Sequence, residues 1–132
     1  MTAIKNMTLE ELCAESRRID LEIDELDTQL DACRERWDRK TVLLDGWRKR
    51  MSAIPTRLLE INRGAAPAPG EVDALFARQD KLYERYEMRA RERWAITREM
   101  QDIDKPMNTL YRRASNVQTR INRLRWEAQQ AA

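Results

Sequence analysis

Apolar residues recur at alternating steps of three and four along almost the whole chain, and this pattern restricts the fold more than any short motif does. Placing heptad position a at Leu9, Ser16, Ile23, Leu30, Trp37, Leu44, Met51 and Leu58 puts Leu12, Ile19, Leu26, Cys33, Lys40, Trp47, Ile54 and Ile61 at d. Of these sixteen positions, Ser16 and Lys40 alone are polar, and a seam kept over nearly eight heptads points to a coiled coil rather than an ordinary amphipathic helix. A second seam has Val72, Gln79, Tyr86, Arg93, Met100, Met107, Ala114, Ile121 and Ala128 at a, with Leu75, Leu82, Arg89, Ile96, Ile103, Leu110, Val117 and Leu124 at d. Fourteen of those seventeen are apolar.

The ends of the two helices are marked as clearly as their faces. Thr8 with Glu11 forms a capping box, and Met7 with Leu12 a hydrophobic staple, so the first arm is expected over about 8–63. Gly64-Ala-Ala-Pro-Ala-Pro-Gly70 cannot continue a helix, because proline lacks an amide donor and fixes φ, while Gly64 suits a left-handed C-cap. The turn therefore falls at 64–70 and the second arm at about 71–129. Pro55 is expected to kink or divide the first arm. Pro106 is expected to kink or briefly break the second, with Asp104 capping the restart, although the heptad phase runs through it.

Folding the chain at that elbow so that paired numbers sum to 133 brings every a residue of one arm against a d residue of the other: Leu9 with Leu124, Ile23 with Leu110, Leu30 with Ile103, Trp37 with Ile96 and Leu58 with Leu75. The predicted fold is all-α: one long antiparallel coiled-coil hairpin, each arm spanning ~80 Å at ~1.5 Å per residue, set within an oligomeric helical bundle. Charge supports this orientation. Residues 1–33 carry nine acids against three bases, and residues 100–132 three acids against six bases, so opposite signs would lie side by side.

One layer opposes the scheme. Lys40 would face Arg93, with Arg89 opposite Leu44, and three unpaired cations cannot be buried together. Their stems can lie along the seam while the charges reach water or the nearby acids Asp38, Asp45 and Glu92. As a functional feature, this basic waist would set register or receive an acidic partner.

Two helices bury only a narrow strip, and apolar residues outside the seam show where a further partner is expected. Phe76, Tyr83 and Tyr111, together with Ala90 and Thr97, occupy position e of the second arm. Leu21, Val42, Leu43, Leu59, Trp94 and Trp126 also lie off the seam. Phe76, Tyr83, Trp94, Tyr111 and Trp126 are the candidate anchors of a protein interface, since large aromatics dominate such contacts. A homo-oligomer, a dimer or larger, or another protein partner is expected to cover them.

The absence of histidine removes the commonest general base and zinc ligand, and three glycines are too few for a phosphate-cradling loop. Cys13 and Cys33 on one helix would stand ~30 Å apart, too far to bridge, and read as small packing residues. No segment resembles a signal peptide or a membrane span, so a cytoplasmic protein, or a virion-associated one if phage-encoded, is expected. Twenty arginines against five lysines fit a GC-rich bacterial or phage genome.

The leading functional expectation is a non-enzymatic structural, assembly or adaptor protein with no cofactor or metal. The second is nucleic-acid binding through Lys105, Arg112, Arg113, Arg120, Arg123 and Arg125, since residues 105–132 carry a net +5 and arginine pairs well with phosphate. A third is a small inhibitor or regulator of a host enzyme.

Overall fold

Thr8 opens the first helix as its sequence predicts. The Thr8 amide donates to Glu11 Oε1 at 3.3 Å, and the Glu11 amide donates to Thr8 Oγ1 at 3.2 Å, so two otherwise orphaned donors are satisfied reciprocally. In the computed structural model, which describes residues 3–131, α1 spans Leu9–Asn62 and α2 spans Glu71–Ala131, and no strand occurs among the described residues. The two helices pack against each other as a hairpin.

Gly64 ends α1 with φ +109°. The Ala65 amide donates to the Glu60 carbonyl at 3.0 Å and the Gly64 amide to the Ile61 carbonyl at 3.1 Å, the two bonds of a Schellman cap. Gly70, with φ +74°, precedes α2, and Arg57 ties the elbow by donating from Nε to Glu71 Oε1 at 2.6 Å. The second helix runs two residues beyond the expected end, because nothing after Glu127 breaks a helix. A short 3₁₀ turn, Ile4–Asn6, was not foreseen; Ile4 and Met7 pack onto the buried core beside α1.

Neither proline divides its helix: α1 continues through Pro55 and α2 through Pro106, so the expected break and the Asp104 restart are corrected. Proline inside a helix costs about 3 kcal/mol, which buried neighbours on both sides can offset. Ile54 and Met107, each adjacent to a proline, are among the buried core residues. Near Pro55, which leaves the Met51 carbonyl without its ladder donor, the Thr56 hydroxyl donates to the Ser52 carbonyl at 3.0 Å and the Ser52 hydroxyl to the Lys49 carbonyl at 2.8 Å.

The chain forms two compact units, each using half of each helix: Met1–Ala32 with Glu99–Ala132, and Cys33–Arg98. In the first, Leu12, Ile19, Ile23 and Leu30 of α1 join Met107, Val117 and Ile121 of α2 in one buried cluster. Leu9, expected in the seam, is exposed instead. Ile4 and Met7 close that end of the cluster.

In the second unit the buried residues are Cys33, Leu44, Ile54, Leu82 and Ile96. Contacts across its two helices run from Trp37–Arg93 and Lys40–Glu92, through Trp47–Arg85 and Arg48–Tyr86, to Arg57–Glu71. These contacts join the two helices on either side of the turn at 63–70.

Candidate functional site

The polar layer of the seam is resolved by one carboxylate. Glu92 accepts from Lys40 and, at 3.2 Å, from Arg89 Nη1. The Lys40 hydrogen bond, with Arg89 adding to it, holds the Glu92 carboxyl below its ordinary pKa. Arg93 turns elsewhere: its guanidinium lies 5.3 Å from the ring centroid of Trp37, and Nη1 donates to Thr41 Oγ1 at 3.3 Å. Lys40, Arg89 and Arg93 are all half-buried, as aliphatic stems along a seam with heads reaching polar partners should be.

Beside this layer the second unit carries an open groove of about 580 Å³. Arg36, Arg39, Lys40 and Glu92 line it together with Leu43, Ala95 and Ile96, so it combines an apolar surface with a rim that is mostly cationic. A smaller hollow of about 240 Å³ shares Leu43 and is lined also by Val42, Gly46, Trp47 and Arg50. A methyl group added at Gly46 would meet no atom within 4 Å, so the glycine leaves a notch in the outer face of α1. Sequence reasoning passed over Arg36, Arg39, Gly46 and Arg50. Their spacing with Leu43, at i, i+3, i+7, i+10 and i+14, was the signal that puts them on one helical face.

The five aromatic anchors are exposed, each by half or more: Phe76, Tyr83 and Trp94 in the second unit, Tyr111 and Trp126 in the first. Arg98 stacks on Trp94 at 5.8 Å from its ring, which covers part of one face. Of the other e positions, Ala90 and Thr97 are half-buried. Met88, at 58 % exposed and off both the seam and position e, joins the second unit's exposed apolar residues and was missed by the sequence reading.

Of the basic C-terminal run, Arg113 and Arg120 are half-buried, Arg113 and Arg123 are paired, and Lys105 is exposed. Arg113 Nε donates to Glu15 Oε1 at 2.7 Å, with the two side chains 23 % and 13 % exposed. Arg18 donates to both oxygens of the same carboxylate, and these two arginines hold the Glu15 carboxyl down to about 2, Arg18 contributing more. Arg113 Nη2 and Arg120 Nε are buried without a hydrogen-bond partner, and Arg123 pairs with Glu127 at 3.2 Å. Arg112 and Arg125 remain exposed. Among the described residues, no helix is long and apolar enough to cross a membrane. Compared with models of known protein families, with curated proteins and with solved structures, the chain matches none.

Proposed function

We propose that this chain is a non-catalytic structural or assembly protein, a helical adaptor whose arms pack as an antiparallel coiled coil and whose outer faces associate with further copies of itself. The observation that carries the reading is the set of large apolar side chains left in water although the seams are filled. Leu21, Val42, Met88, Trp94 and Trp126 are all more than half exposed on helices that bury their a and d residues. Exposed aromatics at this density are costly unless they anchor a contact.

The coiled-coil geometry is supported by the burial pattern. Every a and d residue other than Leu9 and Ala128 is buried or half-buried. The nucleic-acid reading draws less support, since Arg113 is paired with Glu15 and both Arg113 and Arg120 are half-buried.

Light scattering coupled to size exclusion tests the proposal. The expected mass is a multiple of the 15.7 kDa chain, rising to a plateau with concentration. A mass equal to one chain up to millimolar concentration overturns it.

A further inference from the structure

The two units differ in charge. Residues 33–98 carry sixteen Lys and Arg against ten Asp and Glu, net +6, whereas the other unit carries nine against thirteen, net −4. The contrast is sharpest along α1. Residues 10–31 hold nine acids and two bases, and residues 36–50 hold six bases and two acids.

Within each stretch the charges form a face. Asp20, Asp24, Asp27 and Asp31 recur at i, i+4, i+7 and i+11, a stripe ~16 Å long, with Leu21 beside it at 71 % exposed. Arg36, Arg39 and Arg50 rim a face ~21 Å long whose middle is Leu43 and the Gly46 notch, with Val42 beside it at 72 % exposed.

We propose that the basic, notched face of α1 around Arg36, Arg39, Leu43, Gly46 and Arg50 is a docking surface for the acidic, leucine-bearing face of α1, Asp20 to Asp31, in a second copy of this chain. The inference rests on the self-association reading above and specifies its partner surface. Charge selects this occupant over a like-with-like contact, because pairing two basic units sets +6 against +6 while pairing basic with acidic faces joins opposite potentials. Shape agrees. A glycine at the centre of an exposed helical face lets another backbone approach closely, and Leu21 is a protruding apolar side chain that the groove beside Leu43, Ala95 and Ile96 can cover. Each copy carries both faces, so each can meet the opposite face of another copy.

Charge reversal tests this directly, because every substituted residue is exposed. One variant carries Arg36→Glu, Arg39→Glu and Arg50→Glu; the other carries Asp20→Lys, Asp24→Lys and Asp27→Lys. Each alone is expected to weaken self-association about tenfold or more, and an equimolar mixture to restore it, since the reversed faces again have opposite signs. Gly46→Leu fills the notch without touching charge and favours the helix, and is expected to weaken association by a similar factor. Circular dichroism confirms that each variant remains helical.

Association of the wild-type chain that is unchanged by either triple variant or by Gly46→Leu overturns the docking surface while leaving self-assembly intact. Loss in both triple variants without recovery on mixing also overturns it. A wild-type chain that stays monomeric defeats the assembly reading itself.

Discussion

The two units solve the same packing problem with different materials. Met1–Ala32 with Glu99–Ala132 buries a continuous aliphatic cluster, and its central ionic contact, Glu15 with Arg18 and Arg113, lies beside that cluster with Glu15 13 % exposed. Cys33–Arg98 threads Lys40, Arg89 and Arg93 through its seam, and it holds aromatic–arginine contacts at Trp37, Trp47, Tyr86 and Trp94. Seven of its large apolar residues, from Val42 to Trp94, are left exposed. Aliphatic interdigitation excludes water from a seam, whereas a lysine or arginine stem fills space only partly and must keep its head near water or a carboxylate. The first unit thus has the drier, more continuous core, and the second leaves more apolar surface in water.

If that contrast is right, truncating the dry core should have the largest effect. Ile19 is fully buried, so Ile19→Ala is expected to lower unfolding free energy by about 3–4 kcal/mol, read by urea denaturation. Leu82→Ala in the second unit, where the side chain is less completely enclosed, should cost about 2 kcal/mol. A larger loss at Leu82 would reverse the comparison.

The ionic layers should differ in the same direction. Glu15→Ala leaves Arg113 without its carboxylate in a half-buried site and is expected to cost about 2 kcal/mol. Glu92→Ala should cost clearly less, because Lys40 and Arg89 can extend into water.

Acid supplies a related measurement. The Glu15 carboxyl is held down to about 2 by Arg18 and Arg113 when folded and returns to its ordinary value of 4.5 when unfolded, so between these values the unfolded chain binds the extra proton. The contribution of Glu15 is therefore complete above pH ~4.5 and disappears as pH falls towards ~2. Glu71 and Glu92 are shifted the same way. In Glu15→Gln the fall in stability across that window should be shallower; an unchanged acid limb would show that the contact with Arg18 and Arg113 contributes nothing.

Changes at single backbone sites should be smallest. Thr8→Ala removes the capping acceptor of α1 and is expected to cost about 1 kcal/mol. Gly46→Ala, in open space within the helix of a single chain, is expected to add about 0.5–1 kcal/mol by thermal melting at a concentration where the chain is monomeric. A loss of stability at that concentration would contradict the open surroundings of Gly46 in the single chain.

Much of the hairpin was legible because heptad spacing, a capping box and a Pro/Gly elbow are local signals. Thr8, Gly64 and the core positions from Leu12 to Ile121 follow from them. The helices run unbroken through the prolines for a reason local rules miss: the penalty at Pro55 and Pro106 is set against burial of Ile54 and Met107, and that comparison depends on what the other helix presents. Arg113 was read as a surface cation because a helical wheel does not show which carboxylate comes across to meet it. The exposed aromatics were identifiable, since they lie off the seam.

The order of residues alone determined which faces of the helices are apolar, where they start and turn, and that acids and bases separate along α1, since each of these depends on neighbours within a turn or two. Tertiary structure decided which charged groups are satisfied and which surface is left over. It gave Lys40 and Arg89 to Glu92, Arg93 to Trp37 and Thr41, and Arg113 to Glu15. Apart from Arg89 with Glu92, three positions apart on one helix, these pairings join residues some fifty to a hundred positions apart, and the distance between folded helices selects among the acids each cation could reach.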